Sequence, residues 1–206
     1  MGIVLAGGRS SRMRMDKAKV EFAGRPLIEH ALGILRGAGL PVSIAGDRPD
    51  LQDLAPTIDD LGTAAGPLSG ICGALQVTLV TYCIFVPVDL PLLPTSLIAL
   101  MREIAGVTGA AVVVPSVNGF VQTFPAVVHR AALPLLKSEL EAGRGGCFSA
   151  FRAAAGELGQ QIYVVATELL VQSGRLRHPG DVPAARWFFN VNSAADLRRA
   201  ERFRHG

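Results

Sequence analysis

Short apolar, β-branched runs alternate along this chain with longer stretches of helical periodicity, and that alternation limits the possible folds more than any other feature. Gly2–Leu5 is a buried-strand run that ends in Gly7-Gly8. Leu27, Ile28, Ala31, Leu32 and Leu35 fall on one helical face, closed by Gly37 and Gly39. Val42–Ala45 reads as the next strand, Gly70–Val77 as a helix and Tyr82–Val86 as a strand. Leu97, Leu100, Met101 and Ile104 form another helical stripe, with Thr95 or Ser96 as its N-cap. Ala110–Val114 predicts a strand, Ala131–Glu141 a helix, and Trp187–Val191 a last strand before a basic helix from Ser193. Phe120–His129, split by Pro125, reads as extended or antiparallel pieces. Strands and helices in this rhythm build βαβ units. The expected fold is α/β: one Rossmann-like, mostly parallel sheet flanked by helices, with runs such as Ala110–Val114 in its interior. In such open sheets ligands bind beyond the carboxyl ends of the strands, so the informative residues should follow the strands.

Composition narrows the class. Half of the 206 residues are hydrophobic and 18% are charged, which excludes a disordered chain, and the length favours one domain over 1–206. Cys72, Cys83 and Cys147 stand far apart with no CxxC, so buried packing is expected of them rather than a disulfide framework or zinc site. His30, His129, His178 and His205 show no metal-ligand spacing. Met1 leads directly into an apolar run, and no such run approaches the ~20 residues of a membrane helix. A cytoplasmic protein with no membrane partner is expected.

The net charge of +3 is unevenly spread. Residues 1–40 and 175–206 each carry seven basic against three acidic side chains, leaving an acidic middle. Such an excess suits nucleic acid, a membrane surface, a phosphorylated small molecule or a merely solvated surface. Only one aromatic, Phe203, falls among Arg198, Arg199, Arg202 and Arg204, and no nucleic-acid module is present, so nucleic acid is not the expected partner.

The first strand runs into Leu5-Ala6-Gly7-Gly8-Arg9-Ser10-Ser11-Arg12-Met13-Arg14-Met15-Asp16-Lys17. This is neither a Walker A loop nor a GxGxxG fingerprint, yet it has the parts of a phosphate cradle. Two glycines admit close backbone approach, Ser10 and Ser11 carry hydroxyls, and Arg12 and Lys17 offer fixed positive charge. Asp16 could orient Lys17 or hold the loop. On chemistry alone, a polar surface loop is the competing reading.

The full pattern, LAGG-x-S-x-R-M-x-x-D-K, resembles the signature of the MobA family of molybdenum cofactor guanylyltransferases and their nucleotidyltransferase relatives. Gly66-Pro67-Leu68-Ser69-Gly70 is similar to that family's GPLAG loop, Asp89-Leu90-Pro91 to its metal-binding turn, and Asn190-Val191-Asn192-Ser193 with Asp196-Leu197 to its C-terminal NVN motif. The resemblance runs from about residue 2 to 200. It implies the nucleotide-diphospho-sugar transferase type of fold. It also implies Mg²⁺-dependent transfer of GMP from GTP to the terminal phosphate of molybdopterin, with release of pyrophosphate. A molybdoenzyme or its chaperone would then receive the product.

Carried onto this chain, the resemblance assigns Arg12 and Lys17 to the triphosphate and Asp89 to Mg²⁺. Without it, Asp89 is a turn residue among the prolines at 87, 91 and 94. Leu5, Ala6, Gly7 and Gly8 would form the cradle, with Gly7 leaving room for a purine. Gly66, Pro67 and Leu68 would line the base and ribose. Asp60 matches a family aspartate near the nucleotide, although spacing leaves Asp59 and Asp60 unseparated, and either suits a solvated loop. Asn190 and Asn192, one residue apart on an extended strand, would share a side facing the pterin phosphate; Asn192 would equally serve as the cap of the following helix. Arg14 stands where the family usually has glycine, which implies either local strain or a further phosphate contact. The alternatives are a cytidylyltransferase for the same cofactor, a guanylyltransferase for a sugar phosphate or phospholactate, and a non-catalytic nucleotide-binding protein.

Overall fold

The computed structural model describes residues 1–7, 16–62, 66–143 and 146–204. Its strands are β1 (Gly2–Leu5), β2 (Glu21–Phe22), β3 (Arg25–Pro26), β4 (Val42–Ala45), β5 (Thr57–Ile58), β6 (Tyr82–Pro87), β7 (Val112–Val117), β8 (Phe120–Val121), β9 (Ala126–His129) and β10 (Tyr163–Ala166). Its helices are α1 (Leu27–Gly37), α2 (Pro67–Val77), α3 (Thr95–Thr108), α4 (Leu133–Glu141), α5 (Cys147–Glu157), α6 (Thr167–Gln172), α7 (Ala184–Trp187) and α8 (Ala194–Phe203).

The central strands are apolar on both faces, and the period-2 alternation of their side chains divides the core into two layers. Val4, Ile84, Val86 and Val113 point to one side, where α1 and α3 supply Leu32, Leu35, Leu97 and Met101. Ile3, Leu5, Cys83, Phe85 and Val112 point to the other, against Ile71 and Leu75 of α2, Leu136 of α4 and Phe151 of α5. The sheet order is β10-β7-β9-β6-β1-β4-β5, with β8 paired to β7. β1 runs parallel to β4 and β6, placing Leu5 opposite both Ala45 and Pro87. β9 is antiparallel to β6 and β7, as the proline-split segment predicts. Among the described residues no helix is long and apolar enough to cross a membrane.

A third cluster joins Val20, Phe22 and Leu27 to Leu92, Val191 and Ala200, and it anchors α8 beyond the end of β6. Here the sequence expectation fails. Trp187–Val191 is not a strand: Pro183 starts α7 with φ −60°, and Trp187 donates from its buried Nε1 to the Val182 carbonyl at 2.7 Å. That anchored indole turns the chain into a short helix and an irregular passage over the strand ends. The expected caps also change. Pro94 precedes α3 with no side-chain cap, and Ser193, not Asn192, caps α8 by accepting from the Asp196 N–H.

Cys72 and Cys83 are buried and Cys147 partly so. Burial pushes the Cys72 and Cys147 thiols up to about 11, which suits packing rather than nucleophilic chemistry.

Candidate active site

The register of the central strands sets the site. Because Leu5 lies opposite Pro87, the residues after β1 and after β6 emerge side by side, and the Val88 N–H donates to the Leu5 carbonyl at 3.3 Å. Downstream, Asp16 caps a 3-10 turn, Lys17–Lys19, by accepting from the Ala18 N–H at 3.1 Å. That turn sends Lys17 across the strand ends. Its Nζ donates to Asp89 Oδ2 at 2.9 Å and to Asn192 Oδ1 at 2.7 Å. The Val191 N–H donates to the Asp89 carbonyl at 2.9 Å, which ties the C-terminal passage to the turn after β6. Three separate motifs therefore meet on one ammonium. The Lys17 and Asp89 side chains are each 19% exposed, so the ion pair is shielded yet reachable. Asp89 Oδ1 is buried without a hydrogen-bond partner among the described residues, an unmet demand for a cation or donor.

A second group forms where β1, β4 and α2 converge. Gly46, at φ +128°, packs so tightly on Gly7 that a Cβ there would lie 2.2 Å from the Gly7 nitrogen. A Cβ on Gly7 would meet Gly46 Cα at 3.1 Å and Asp60 Oδ2 at 3.4 Å, and one on Gly70 would meet Asp60 Oδ1 at 3.0 Å. The Asp60 carboxylate thus lies between the end of β1 and the start of α2, while the Asp59 side chain is exposed. Asp60 Oδ1 is also buried and unpartnered. Burial, then the charges of Asp47 and Asp59, raise the Asp60 carboxyl above the ordinary value of 3.8. A raised folded-state value makes ionisation a cost, so stability falls as pH rises through the Asp60 titration. Asp60→Asn is therefore expected to stabilise the protein at neutral pH, with the gain vanishing below an aspartate's ordinary 3.8. Urea unfolding of both proteins across that range measures it.

The remaining expected site residues divide by what they can offer. Leu5, Ala6 and Leu68 are buried, so only their backbone is available to a ligand. Ala6 already uses its N–H on the Ala45 carbonyl at 2.9 Å. Gly66, at φ +139°, introduces α2, and Pro67 occupies the first turn with its fixed φ. Both Asn190 and Asn192 are exposed, and it is Asn192 that reaches Lys17. They do not share the face of a strand, because no strand forms there. Gly8 and Arg12, with Ser10, Ser11 and Arg14, lie outside the described residues.

The chain that carries this strand end matches known proteins along most of its length. The model of the MobA-like NTP transferase domain matches residues 2–166. This chain belongs to that family. A probable molybdenum cofactor guanylyltransferase from Haloferax mediterranei is 31% identical over 96% of this chain and 90% of its own length. A molybdenum cofactor guanylyltransferase from Xanthomonas euvesicatoria is 45% identical, but over 47% of this chain and 50% of that protein. Molybdopterin-guanine dinucleotide biosynthesis protein A from Archaeoglobus fulgidus shares the fold, with a TM-score of 0.76 and 22% identity over 98% of this chain and 97% of that one.

Two features of this MobA-like transferase were not foreseen from its sequence. Arg48 sits behind the Lys17 turn and touches Ala6, Asp16 and Asp50. Gly46 carries no signal in the sequence, because its need for glycine arises from a contact with Gly7 far away along the chain. The C-terminal basic helix also gains a partial explanation. Arg199 lies over Phe189 and Phe203, at 5.2 and 5.5 Å from the ring centres, and Arg204 over Phe22 at 5.6 Å. The Arg199–Phe189 contact holds α8 against the passage that carries Asn192, and Arg204 ties the end of that helix to β2.

Proposed function

We propose that this protein transfers GMP from GTP to the terminal phosphate of molybdopterin, or of its molybdenum-loaded form, in the cytoplasm. The observation that carries the reading is the meeting of Lys17, Asp89 and Asn192 at the strand ends, with one Asp89 oxygen buried and unpartnered. Oxygen from a carboxylate is the right ligand for Mg²⁺, and Asp89 would hold it. Among the described residues no cluster of three or more His, Cys, Asp or Glu gathers there, so phosphate oxygens and water would complete the shell. When bound, Mg²⁺ offsets triphosphate charge and fixes the orientation of the phosphate oxygens.

The other steps belong to side chains. Lys17, and Arg12 from the glycine-rich segment, neutralise the triphosphate and the departing pyrophosphate. The attacking phosphate has its second pKa near ~6 and is largely dianionic at neutral pH, so no protein base is required. What remains is in-line placement and charge stabilisation. Asn192 orients Lys17 and faces the acceptor phosphate. The purine would lie along the Gly7 backbone, with Asp60 and the Gly66–Leu68 turn beside it, while the space a Gly7 side chain would fill is taken by Gly46. A molybdoenzyme or its chaperone would take the product. Purified protein with Mg²⁺ and molybdopterin is expected to release pyrophosphate with GTP and far less with CTP. A preference for CTP identifies a cytidylyltransferase, and turnover with a sugar phosphate in place of molybdopterin removes the proposed acceptor.

A further inference from the structure

We propose that Arg48 is a positioning residue for Lys17, setting where the ammonium meets the triphosphate. The inference rests on the reading of Lys17 as the phosphate-binding cation. The backbone prepares the contact: β4 ends at Ala45, and Gly46 (φ +128°) and Asp47 (φ +52°) both adopt positive φ, swinging the chain back over the end of β1. Arg48 follows at once. Its Nη1 donates to the Ala6 carbonyl at 3.3 Å and to Asp16 Oδ1 at 3.1 Å, and its Nη2 donates to Asp16 Oδ2 at 2.5 Å. Its Nε and Nη2 donate to the two oxygens of Asp50 at 2.8 and 2.9 Å. Asp50 in turn pairs with Lys19 at 2.7 Å.

One guanidinium therefore grips two carboxylates and a strand-end carbonyl, using all three of its nitrogens. The Arg48 side chain is only 15% exposed, against 37% for Asp16 and 40% for Asp50, so it is the shielded centre of the network. Only a planar fork makes this set of bonds; a lysine has one nitrogen to offer. The carboxylate it holds is the one that caps the Lys17–Lys19 turn, and Asp16 is the residue immediately before Lys17. Asp50 secures the other end of the same turn through Lys19. Arg48 thus sets the turn relative to β1, and the turn aims Lys17 at Asp89 and Asn192. It touches no reacting atom.

The test reads Lys17 directly in the ligand-free protein and then reads turnover. Amines of the full chain are acetylated with an N-hydroxysuccinimide ester, and the Lys17 rate is measured by peptide mass spectrometry relative to Lys137 on α4. In Arg48→Gln, with folding checked by circular dichroism, Lys17 is expected to react about tenfold faster as its local contacts loosen. Asp16→Asn, which weakens the same grip with little change of shape, is expected to show the same sign and decides the matter if Arg48→Gln does not fold. Arg48→Lys should fail to restore the wild-type rate. In turnover, Arg48→Gln is expected to lower kcat/KM for GTP by about 10- to 100-fold, mostly through KM, and to add little to Lys17→Gln, as residues acting through one contact are not additive. An unchanged Lys17 rate in a folded variant overturns the role of Arg48, as does full additivity with Lys17→Gln. If the wild-type protein transfers no nucleotide, the proposed activity fails while the acetylation rates still decide the role of Arg48.

Discussion

Asp89→Ala is expected to lower nucleotidyl transfer by about three orders of magnitude, the scale of losing the group that would hold Mg²⁺ against the triphosphate. The loss should be specific. The backbone bond from the Val191 N–H to the Asp89 carbonyl does not need the side chain, and neither does the pairing of β6 with β1. Lys17 keeps Asn192 as an acceptor. The ion pair is partly solvated, so the cost in folding stability is about 1 kcal/mol. Pyrophosphate release and a thermal melt measured on one preparation separate the two effects. A folded Asp89→Ala protein with near-normal, metal-dependent turnover would mean that the cation is held elsewhere.

Gly46→Ala is expected to cost about 3 kcal/mol or more of folding stability and to abolish tight nucleotide binding. Two penalties combine. A φ of +128° is foreign to an L-residue, and the added methyl would fall 2.2 Å from the nitrogen and 2.4 Å from the Cα of Gly7. Backbone cannot swing aside as a side chain can, so Gly7 itself must shift, and with it the floor of the expected nucleotide site. Gly62→Ala is the control. Gly62 also has positive φ, +74°, but none of the described residues lies within 4 Å of its Cβ position, so it should lose only about 1 kcal/mol. Urea unfolding of both variants separates backbone strain from overlap. Equal losses would mean that the Gly46–Gly7 contact carries no special weight.

The parts of this fold legible in the sequence are those whose signal is local. The continuous apolar run Tyr82–Val86, the stripe of Leu27–Leu35 and the proline-split Phe120–His129 each carry a local signal, and each forms as expected. α5 and β10 were not foreseen. The buried face of α5 is Ala150, Phe151, Ala154 and Ala155, too weakly hydrophobic to stand out, and β10 is an edge strand with Tyr163 and Val164 exposed. Trp187–Val191 misled because an apolar aromatic run has no period of its own, and the bond from Trp187 to Val182 that bends it is tertiary.

The site divides in the same way. Lys17, Asp89 and Asn192 stand out because they belong to compact motifs, and the sheet register brings those motifs together across 72 and 175 residues of sequence. Asp59 and Asp60 cannot be separated by spacing, yet in the fold it is the Asp60 carboxylate that lies beside Gly7 and Gly70. Arg48 and Gly46 belong to no motif. Their importance lies in contacts with Ala6, Gly7 and Asp16, which exist only after β4 has paired with β1.

The central claim is nucleophilic attack on the α-phosphorus of GTP by an acceptor phosphate. Parallel reactions with α-³²P- and γ-³²P-labelled GTP, molybdopterin and Mg²⁺ test it most directly. The expected result is α-label in a pterin-containing product of dinucleotide mass and γ-label wholly in pyrophosphate, with both transfers lost in Asp89→Ala. Label reaching the acceptor from the γ position, or α-label recovered only as free GMP, would contradict it.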